Sequence, residues 1–268
     1  MLGGLAVKRI EKKRGRGLSP TISTVILTSM ILVIVISTSY IAHNVLTNQV
    51  EDAEFDVAKD VMLALNQMVK EVLFKPQSSR YVKTGFRTTM PSLLNTEERI
   101  SVWTQVDTEP KEYLIHNCPI SLLKIQAGTS ITDLSQDVVG TSAVLLTDFT
   151  SLGHLYIQRS DRVELLLDFA RIRCIHTGSL NLTQEYNVLE VVFVNMTTGS
   201  IQFDDMAVFV VRNLGATMSQ HFYEGSLTLG VNDTRGYNDA ILYSDLPHTS
   251  TLINLMVIDI EISVIGGV

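Results

Sequence analysis

The stretch VILTSMILVIVI, from Val25 to Ile36, decides the fold of this chain. It lies inside a longer segment, Leu18 to Val50, that contains no Asp, Glu, Lys or Arg. A helix of about 20 apolar residues is long enough to cross the hydrocarbon core of a bilayer, which is about 30 Å thick. The sequence therefore predicts a membrane-inserted helix, with its transmembrane part at about residues 22–43.

Charge is distributed unevenly along the 268 residues. Six basic residues and one glutamate give residues 1–17 a net charge of +5, which leaves −12 for the remainder of a chain with a total of −7. Basic residues before an apolar helix favour a cytoplasmic N-terminus, so Glu51 and the residues after it are expected outside the cell membrane. The acidic body lacks a spread basic surface, and we expect no nucleic-acid partner.

The helix is expected to continue beyond the membrane. Ser19 is a favoured N-cap and Pro20 suits the first helical position, while Pro76 ends the pattern. Apolar residues recur at intervals of three or four along a predicted amphipathic extension over residues 46–74. The stripe consists of Leu46, Val50, Ala53, Val57, Val61, Ala64, Met68 and Val72. We predict one long helix over residues 18–76, packed directly on the domain that follows.

Residues 77–268 have the pattern of a β domain. Short alternating or apolar runs are separated by Gly, Pro, Asn and Asp, which is typical of an antiparallel sandwich or barrel. The predicted strands are 79–89, 100–106, 112–117, 121–127, 143–147, 154–158, 163–174, 186–195, 206–213, 225–231 and 252–265. In the last of these, Ile258, Ile260 and Ile262 share one face. The predicted fold class is α+β, a long membrane-inserted helix packed on an antiparallel β domain.

The junction between the basic segment and the apolar helix resembles that of the archaeal type IV pilin family. The residues that carry the resemblance are KKRGRG, Lys12 to Gly17, followed by LSPTISTVIL, Leu18 to Leu27. The resemblance implies that a prepilin peptidase cleaves between Gly17 and Leu18. It also implies self-association, or association with other pilin subunits, through residues 18–45. Bacterial-type pilins carry a glutamate at the position of Ile22, and this chain departs from them there.

Small hydroxyl residues lie on one side of the apolar helix. Thr21, Thr24 and Thr28 are spaced by three and four residues. Either they allow close packing of neighbouring helices, or their hydroxyls bond back to the carbonyls of their own helix.

Two cysteines lie in mirrored settings, His116-Asn117-Cys118 and Cys174-Ile175-His176. If their strands were neighbours, the four side chains would converge, because residues i and i+2 of a strand share a face. The sequence leaves three alternatives open: a disulfide between Cys118 and Cys174, a zinc site of atypical spacing, or two separate core residues. We assign no metal site.

Three sequons, at Asn181, Asn195 and Asn232, lie in the predicted exterior domain and are candidate N-glycosylation sites. The sequence contains no G-x-S-x-G, H-E-x-x-H, P-loop or G-x-G-x-x-G motif. We therefore expect neither an enzyme nor a cofactor.

The sequence thus predicts a single-pass membrane protein with membrane lipid as its first partner. The resemblance implies a pilin-like structural subunit of a cell-surface filament, located at the cell membrane or in an extracellular filament. The alternative is a membrane-anchored surface protein whose β domain binds a glycan or a protein partner without forming filaments.

Overall fold

A computed structural model describes residues 20–85, 90–106, 112–126, 136–159, 163–181, 185–202, 206–243 and 246–266. The chain divides into two compact units, residues 1–47 and residues 48–268. One helix, α1 (Pro20–Val72), contributes to both units, and every described strand belongs to the second. The basic segment and the predicted cleavage site at Gly17 and Leu18 lie outside the described residues.

The described part of the second unit contains thirteen strands. Their bounds are β1 (Ser79–Gly85), β2 (Met90–Val106), β3 (Glu112–Gln126), β4 (Gln136–Val139), β5 (Leu145–Leu146), β6 (His154–Arg159), β7 (Val163–Asp168), β8 (Ile172–Asn181), β9 (Glu185–Ile201), β10 (Met206–Glu224), β11 (Leu227–Asp233), β12 (Asn238–Tyr243) and β13 (Ser250–Gly266). The structure therefore confirms the predicted α+β class.

The strands form two sheets. Sheet A has the order β1-β10-β13-β9-β8-β5, and sheet B has the order β12-β11-β2-β3-β7-β6-β4. Neighbouring strands are antiparallel except for β13 with β9 and β5 with β8, which are parallel. The alternation predicted for the last strand is confirmed, since Ile258, Ile260 and Ile262 are fully buried in β13.

The second half of α1 forms the core together with both sheets. Helix residues between Phe55 and Leu73 pack in one apolar cluster with side chains from sheet A, such as Phe209, and from sheet B, such as Leu165. A second cluster contains residues of both sheets and none of the helix, including Ile100 and Ile172. Burial of this apolar surface supplies the main force that holds the helix to the sheets.

The buried face of α1 includes the C-terminal part of the predicted stripe, since Val61, Met68 and Val72 are buried in the core, but it departs from the stripe closer to the N-terminus. Ala53 and Val57 are exposed, whereas a neighbouring face is buried at intervals of three and four residues. That face consists of Phe55, Ala58, Met62, Leu65 and Val69. From Val61 onward, side chains of this face and of the predicted stripe are buried together, so the buried face is wider than the predicted one and removes more apolar area from water.

The end of α1 is tied to sheet A by a buried asparagine. Asn213 of β10 is 1% exposed, and its Nδ2 donates to the carbonyl oxygens of Val72 (2.8 Å) and Leu73 (2.9 Å). The Val72 carbonyl also accepts the backbone N–H of Lys75 (2.9 Å), so the asparagine adds to the bonds that cap the C-terminus of the helix. Gly215 donates its backbone N–H to Asn213 Oδ1 (2.8 Å) at a bulge in β10. The bulge thus orients the side chain that caps the helix.

The sequence predicted one strand over residues 163–174, and this prediction is wrong. The chain instead crosses from sheet B to sheet A within that range. β7 ends at Asp168 in sheet B, and β8 begins at Ile172 in sheet A. The three residues between them include the buried Arg171, which pairs with Asp168. Two paired, buried charges three residues apart therefore lie at the crossing, and an apolar pattern alone does not reveal it.

We expect Leu65→Ala to lower the free energy of unfolding by about 2–5 kcal/mol, because the fully buried side chain leaves a cavity between helix and sheets. Val57→Ala is the control, since Val57 lies on the predicted stripe but is 43% exposed. Its expected cost is about 0.5 kcal/mol or less. Urea unfolding of the full chain in detergent, followed by fluorescence of the single tryptophan, Trp103, measures both. Equal losses, or a larger loss for Val57→Ala, would contradict the observed helix face.

Candidate functional site

The first half of α1 presents a continuous apolar surface. Every described residue from Thr21 to Val50 is exposed, and the large apolar side chains there are between 40% and 67% accessible. A soluble protein rarely exposes an apolar surface of this extent. The surface therefore requires an apolar environment outside the chain itself.

Hydroxyl groups on this half of the helix bond to the helix's own backbone. Thr28 Oγ1 donates to the Thr24 carbonyl (2.5 Å), Thr24 Oγ1 to the Thr21 carbonyl (3.3 Å), and Thr38 Oγ1 to the Ile34 carbonyl (2.7 Å). The second of the two alternatives for Thr24 and Thr28 is thus the one observed. A hydroxyl bonded in this way enters an apolar environment at a reduced cost.

Among the described residues, α1 is the one helix long and apolar enough to cross a membrane. The helix is long, carries no charge up to Val50, and has hydroxyls that bond to its own carbonyls. These properties together suggest a single-pass membrane anchor.

A second feature lies in the β unit, where a cavity of about 440 Å³ opens between the β4, β6 and β7 strands of sheet B and the β11–β12 turn. β4, β6 and β7 supply part of its lining, because Asp137 is paired with Tyr156 and His154 with Asp168 across these strands. The remaining lining comes from the segment after β4, the connection after β7 and the β11–β12 turn. These contribute Ser142, Arg171, Arg235 and Tyr237.

Buried charges form one side of this cavity. Asp168 and Arg171 are 1% and 2% exposed and form an ion pair through Asp168 Oδ1 and Arg171 Nη1. Asp168 Oδ2 accepts a bond from Arg235 Nη1 (3.1 Å), and Arg235 Nε and Nη2 donate to Asp233 Oδ2 (2.8 and 2.5 Å). Arg171 Nε donates to the Thr141 carbonyl (2.6 Å). Two carboxylates thus neutralise two guanidiniums, which is the condition for burying them.

The β11–β12 turn holds Arg235 in place. Asp233 Oδ1 accepts the backbone N–H of Arg235 (2.8 Å), and Gly236 adopts a φ of 100°, a left-handed conformation that favours glycine. Burial alone lowers the pKa of Arg235, but the hydrogen bond and charge of Asp233, with the charge of Asp168, raise it above its ordinary value. The guanidinium therefore remains charged.

His154 links the buried charges to the cavity mouth. Its Nδ1 lies 2.7 Å from Arg171 Nη2 and its Nε2 lies 2.7 Å from Asp137 Oδ1. Because a guanidinium has no acceptor, Nδ1 accepts and Nε2 carries the proton that is donated to Asp137. Burial, and then the positive charge of Arg171, lower the pKa of His154, so the ring is neutral near pH 7.

Two tyrosines complete the cavity lining. The Tyr156 ring stacks on His154, with centroids 4.7 Å apart and an angle of 23° between the planes. The Tyr237 ring lies 5.7 Å from the Arg235 guanidinium carbon. Burial, and then the charge of Asp168, raise the pKa of Tyr156 to about 12, so its hydroxyl keeps its proton and remains a donor at neutral pH.

The fold brings Asp137, Ser142 and His154 to one cavity, although their spacing in the sequence suggests no catalytic set. Nucleophilic catalysis by the serine would require a ring nitrogen of His154 able to take its proton. Both ring nitrogens are already engaged, one by Asp137 and one by Arg171. The arrangement is therefore suited to holding side chains in position rather than to activating Ser142.

The two cysteine–histidine segments, whose convergence would have required neighbouring strands, lie in separate sheets. Cys118 is in β3 of sheet B, opposite Ile100, and Cys174 is in β8 of sheet A, opposite Val191. Both are buried free thiols in the second core cluster. Burial raises the pKa of Cys118 to about 12 and that of Cys174 to about 11. The two strands are not neighbours, so the condition under which the four side chains would converge is not met.

The histidines beside the cysteines also lie apart. The ring of His116 packs against Phe193, with centroids 5.5 Å apart, and His176 is exposed. Within the described ranges, no group of three or more His, Cys, Asp or Glu side chains is placed to hold a metal ion.

The three sequon asparagines differ in exposure. Asn181 and Asn232 are exposed, in β8 and β11. Asn195 is half-buried in β9, and its Nδ2 donates to Asp259 Oδ1 of β13 (2.7 Å). A glycan on Asn195 would have to displace that bond; the Asn181 Nδ2 also donates, to the exposed Glu185 Oε1 (3.4 Å).

The chain was compared with protein-family models, with curated proteins and with solved structures, and none of the three comparisons gives a match.

We expect Arg171→Met to lower the free energy of unfolding by about 3–5 kcal/mol, because it leaves the Asp168 carboxylate buried with part of its compensation removed. Arg212→Met is the matched control. Arg212 lies 3.6 Å from Glu261 in an ion pair whose arginine side chain is 55% exposed, and its loss should cost less than about 1 kcal/mol. Urea unfolding followed by Trp103 fluorescence compares them. A cost for Arg171→Met no greater than that of the control would contradict the role of the buried network.

Proposed function

We propose that this protein is a pilin-like structural subunit of an archaeal cell-surface filament. In this proposal a prepilin peptidase removes residues 1–17, the apolar helix first holds the subunit in the cell membrane, and residues 18–45 then pack with those of other subunits in the filament core. The β unit lies outside the cell. The observation that carries the proposal is the exposed, uncharged surface of α1 from Thr21 to Val50, directly after a basic segment that ends in glycine.

Two physical arguments support the assembly step. A helix that leaves lipid for a bundle of like helices exchanges one apolar environment for another, so its transfer has no large desolvation cost. The helix is also one continuous element with the part that packs in the β unit, since α1 runs from Pro20 to Val72. A subunit held by its helix therefore carries its β unit with it.

A second candidate function is a membrane-anchored surface protein whose β unit binds a glycan or a protein partner without forming filaments. The cavity at Asp137, His154 and Tyr156 favours it, because polar side chains fixed by a buried network are typical of recognition sites. Both functions require the membrane anchor. They differ in whether residues 1–17 are removed, which is expected for the filament subunit only.

We expect Gly17→Val to block removal of residues 1–17, because a branched side chain replaces the small residue at the proposed cleavage site. Gly15→Val is the matched control, since it makes the same change two residues earlier in the same basic segment. The full chain is produced in cells that contain a prepilin peptidase, and the intact mass of the membrane-extracted protein is measured. Wild type and the control should begin at Leu18, and Gly17→Val should retain Met1 or Leu2.

An uncleaved wild-type chain, or cleavage after residue 37, would contradict the proposed processing. Cleavage of Gly17→Val at the same bond as wild type would contradict the assignment of that glycine.

A further inference from the structure

We infer that the cavity between the β4, β6 and β7 strands and the β11–β12 turn binds a neutral saccharide, which is a function separate from anchoring and assembly. The cavity measures about 440 Å³, within the range of about 300–1,000 Å³ found for small-molecule sites. Its lining combines two tyrosine rings with a carboxylate, an amide and a hydroxyl. Asp137, Ser142, Tyr156, Gln158 and Tyr237 supply these groups.

The charges in the wall favour a neutral ligand. Asp168 compensates Arg171 and Arg235, and Asp233 gives Arg235 a second carboxylate. An anion would have to compete with these carboxylates for the guanidiniums. A cation would be attracted by Asp137. Because that side chain is 59% exposed, water weakens its electrostatic attraction for the cation.

Hydrogen-bonding groups at the mouth are available to a ligand. Asp137 uses Oδ1 for His154, and within the described ranges no hydrogen bond occupies its Oδ2, the Ser142 hydroxyl or the Gln158 amide. The same holds for the hydroxyls of the two tyrosines. A sugar hydroxyl both donates and accepts, so it matches a mixed set of carboxylate, amide and hydroxyl groups.

The aromatic rings suit the other property of a sugar, its apolar C–H faces. The face of a tyrosine ring carries partial negative charge and attracts the weakly positive C–H edge of a partner. Stacking on His154 holds the Tyr156 ring, and His154 is itself held by Asp137 and Arg171. A ring held in advance loses little conformational entropy when a ligand binds.

Saccharide binding gives the buried ion pairs a role, which is to position groups that contact the ligand. Ion pairs removed from water are often no more stable than apolar residues of the same volume. Here they fix His154, and through it both the carboxylate of Asp137 and the ring of Tyr156, which are the two kinds of group that a sugar requires at a binding site.

Calorimetric titration of the full chain tests the inference. The protein is kept in a detergent without a sugar headgroup and titrated with glucose, galactose, mannose and N-acetylglucosamine in turn. Inorganic phosphate and spermidine serve as anionic and cationic comparisons. We expect at least one of the sugars to bind with a dissociation constant of about 1 mM or lower, and neither ion to compete with it.

Tyr237→Ala and Asp137→Ala should each weaken sugar binding at least tenfold. Tyr237→Ala removes a ring from the lining, and Asp137→Ala removes both a carboxylate and the bond that helps to hold His154. Neither side chain is a member of the buried ion pairs of Asp168. Tyr237→Phe keeps the ring and should stay within about threefold of wild type. Tyr81→Ala, in β1 of sheet A and 74% exposed, is the matched control and should leave binding unchanged. Trp103 fluorescence confirms that each variant is folded.

Lack of binding by all four sugars would overturn the inference. So would sugar binding that Tyr237→Ala and Asp137→Ala leave unchanged, or displacement of the sugar by phosphate or spermidine. The titration is made on the uncleaved Gly17→Val chain as well as on wild type. Its result is therefore independent of whether the protein is processed or assembles.

Discussion

The structure depends on the packing of the second half of α1 between the two sheets. Phe55, Met62 and Leu65 bury their side chains in the same cluster as strands from both sheets, and Asn213 of β10 bonds the last helix carbonyls. Through this contact the helix packs directly on the sheets. The membrane anchor and a core element of the β unit are consequently parts of one helix, Pro20–Val72.

The second constraint is electrostatic. Asp168 and Arg171 lie where the chain leaves sheet B for sheet A, and Arg235 reaches the same carboxylate from the β11–β12 turn. Burying these groups requires that each charge be met by another, so the positions of three separate segments are fixed together. The side chains that line the cavity beside this network are therefore held in fixed positions as well. The anchor and the proposed saccharide site thus lie in different parts of the chain, the first half of α1 and the cavity beside β4, β6 and β7.

Much of the fold could be predicted from local sequence. The uncharged run after Leu18, the alternation of Ile258, Ile260 and Ile262, and the turn residues between apolar runs are local signals, and the helix and the β class follow from them. The inward face of α1 could be predicted only in part, because two apolar stripes lie side by side and members of both are buried from Val61 onward, whereas Ala53 and Val57 are exposed. The cavity was missed because Asp137, Arg171 and Arg235 are distant in sequence. The one local signal was Asp168 and Arg171 interrupting an apolar run.

The central claim is that the apolar surface of α1 passes from lipid to other copies of the same helix. Val33→Cys places a thiol on that surface, where the native side chain is 61% exposed, and the native cysteines are buried. Material sheared from the cell surface is oxidised and separated on a non-reducing gel. The account predicts that the variant is present in this membrane-free fraction and forms disulfide-linked dimers, while the wild-type chain stays monomeric. Recovery of the variant in the membrane fraction alone, as monomer, would contradict it.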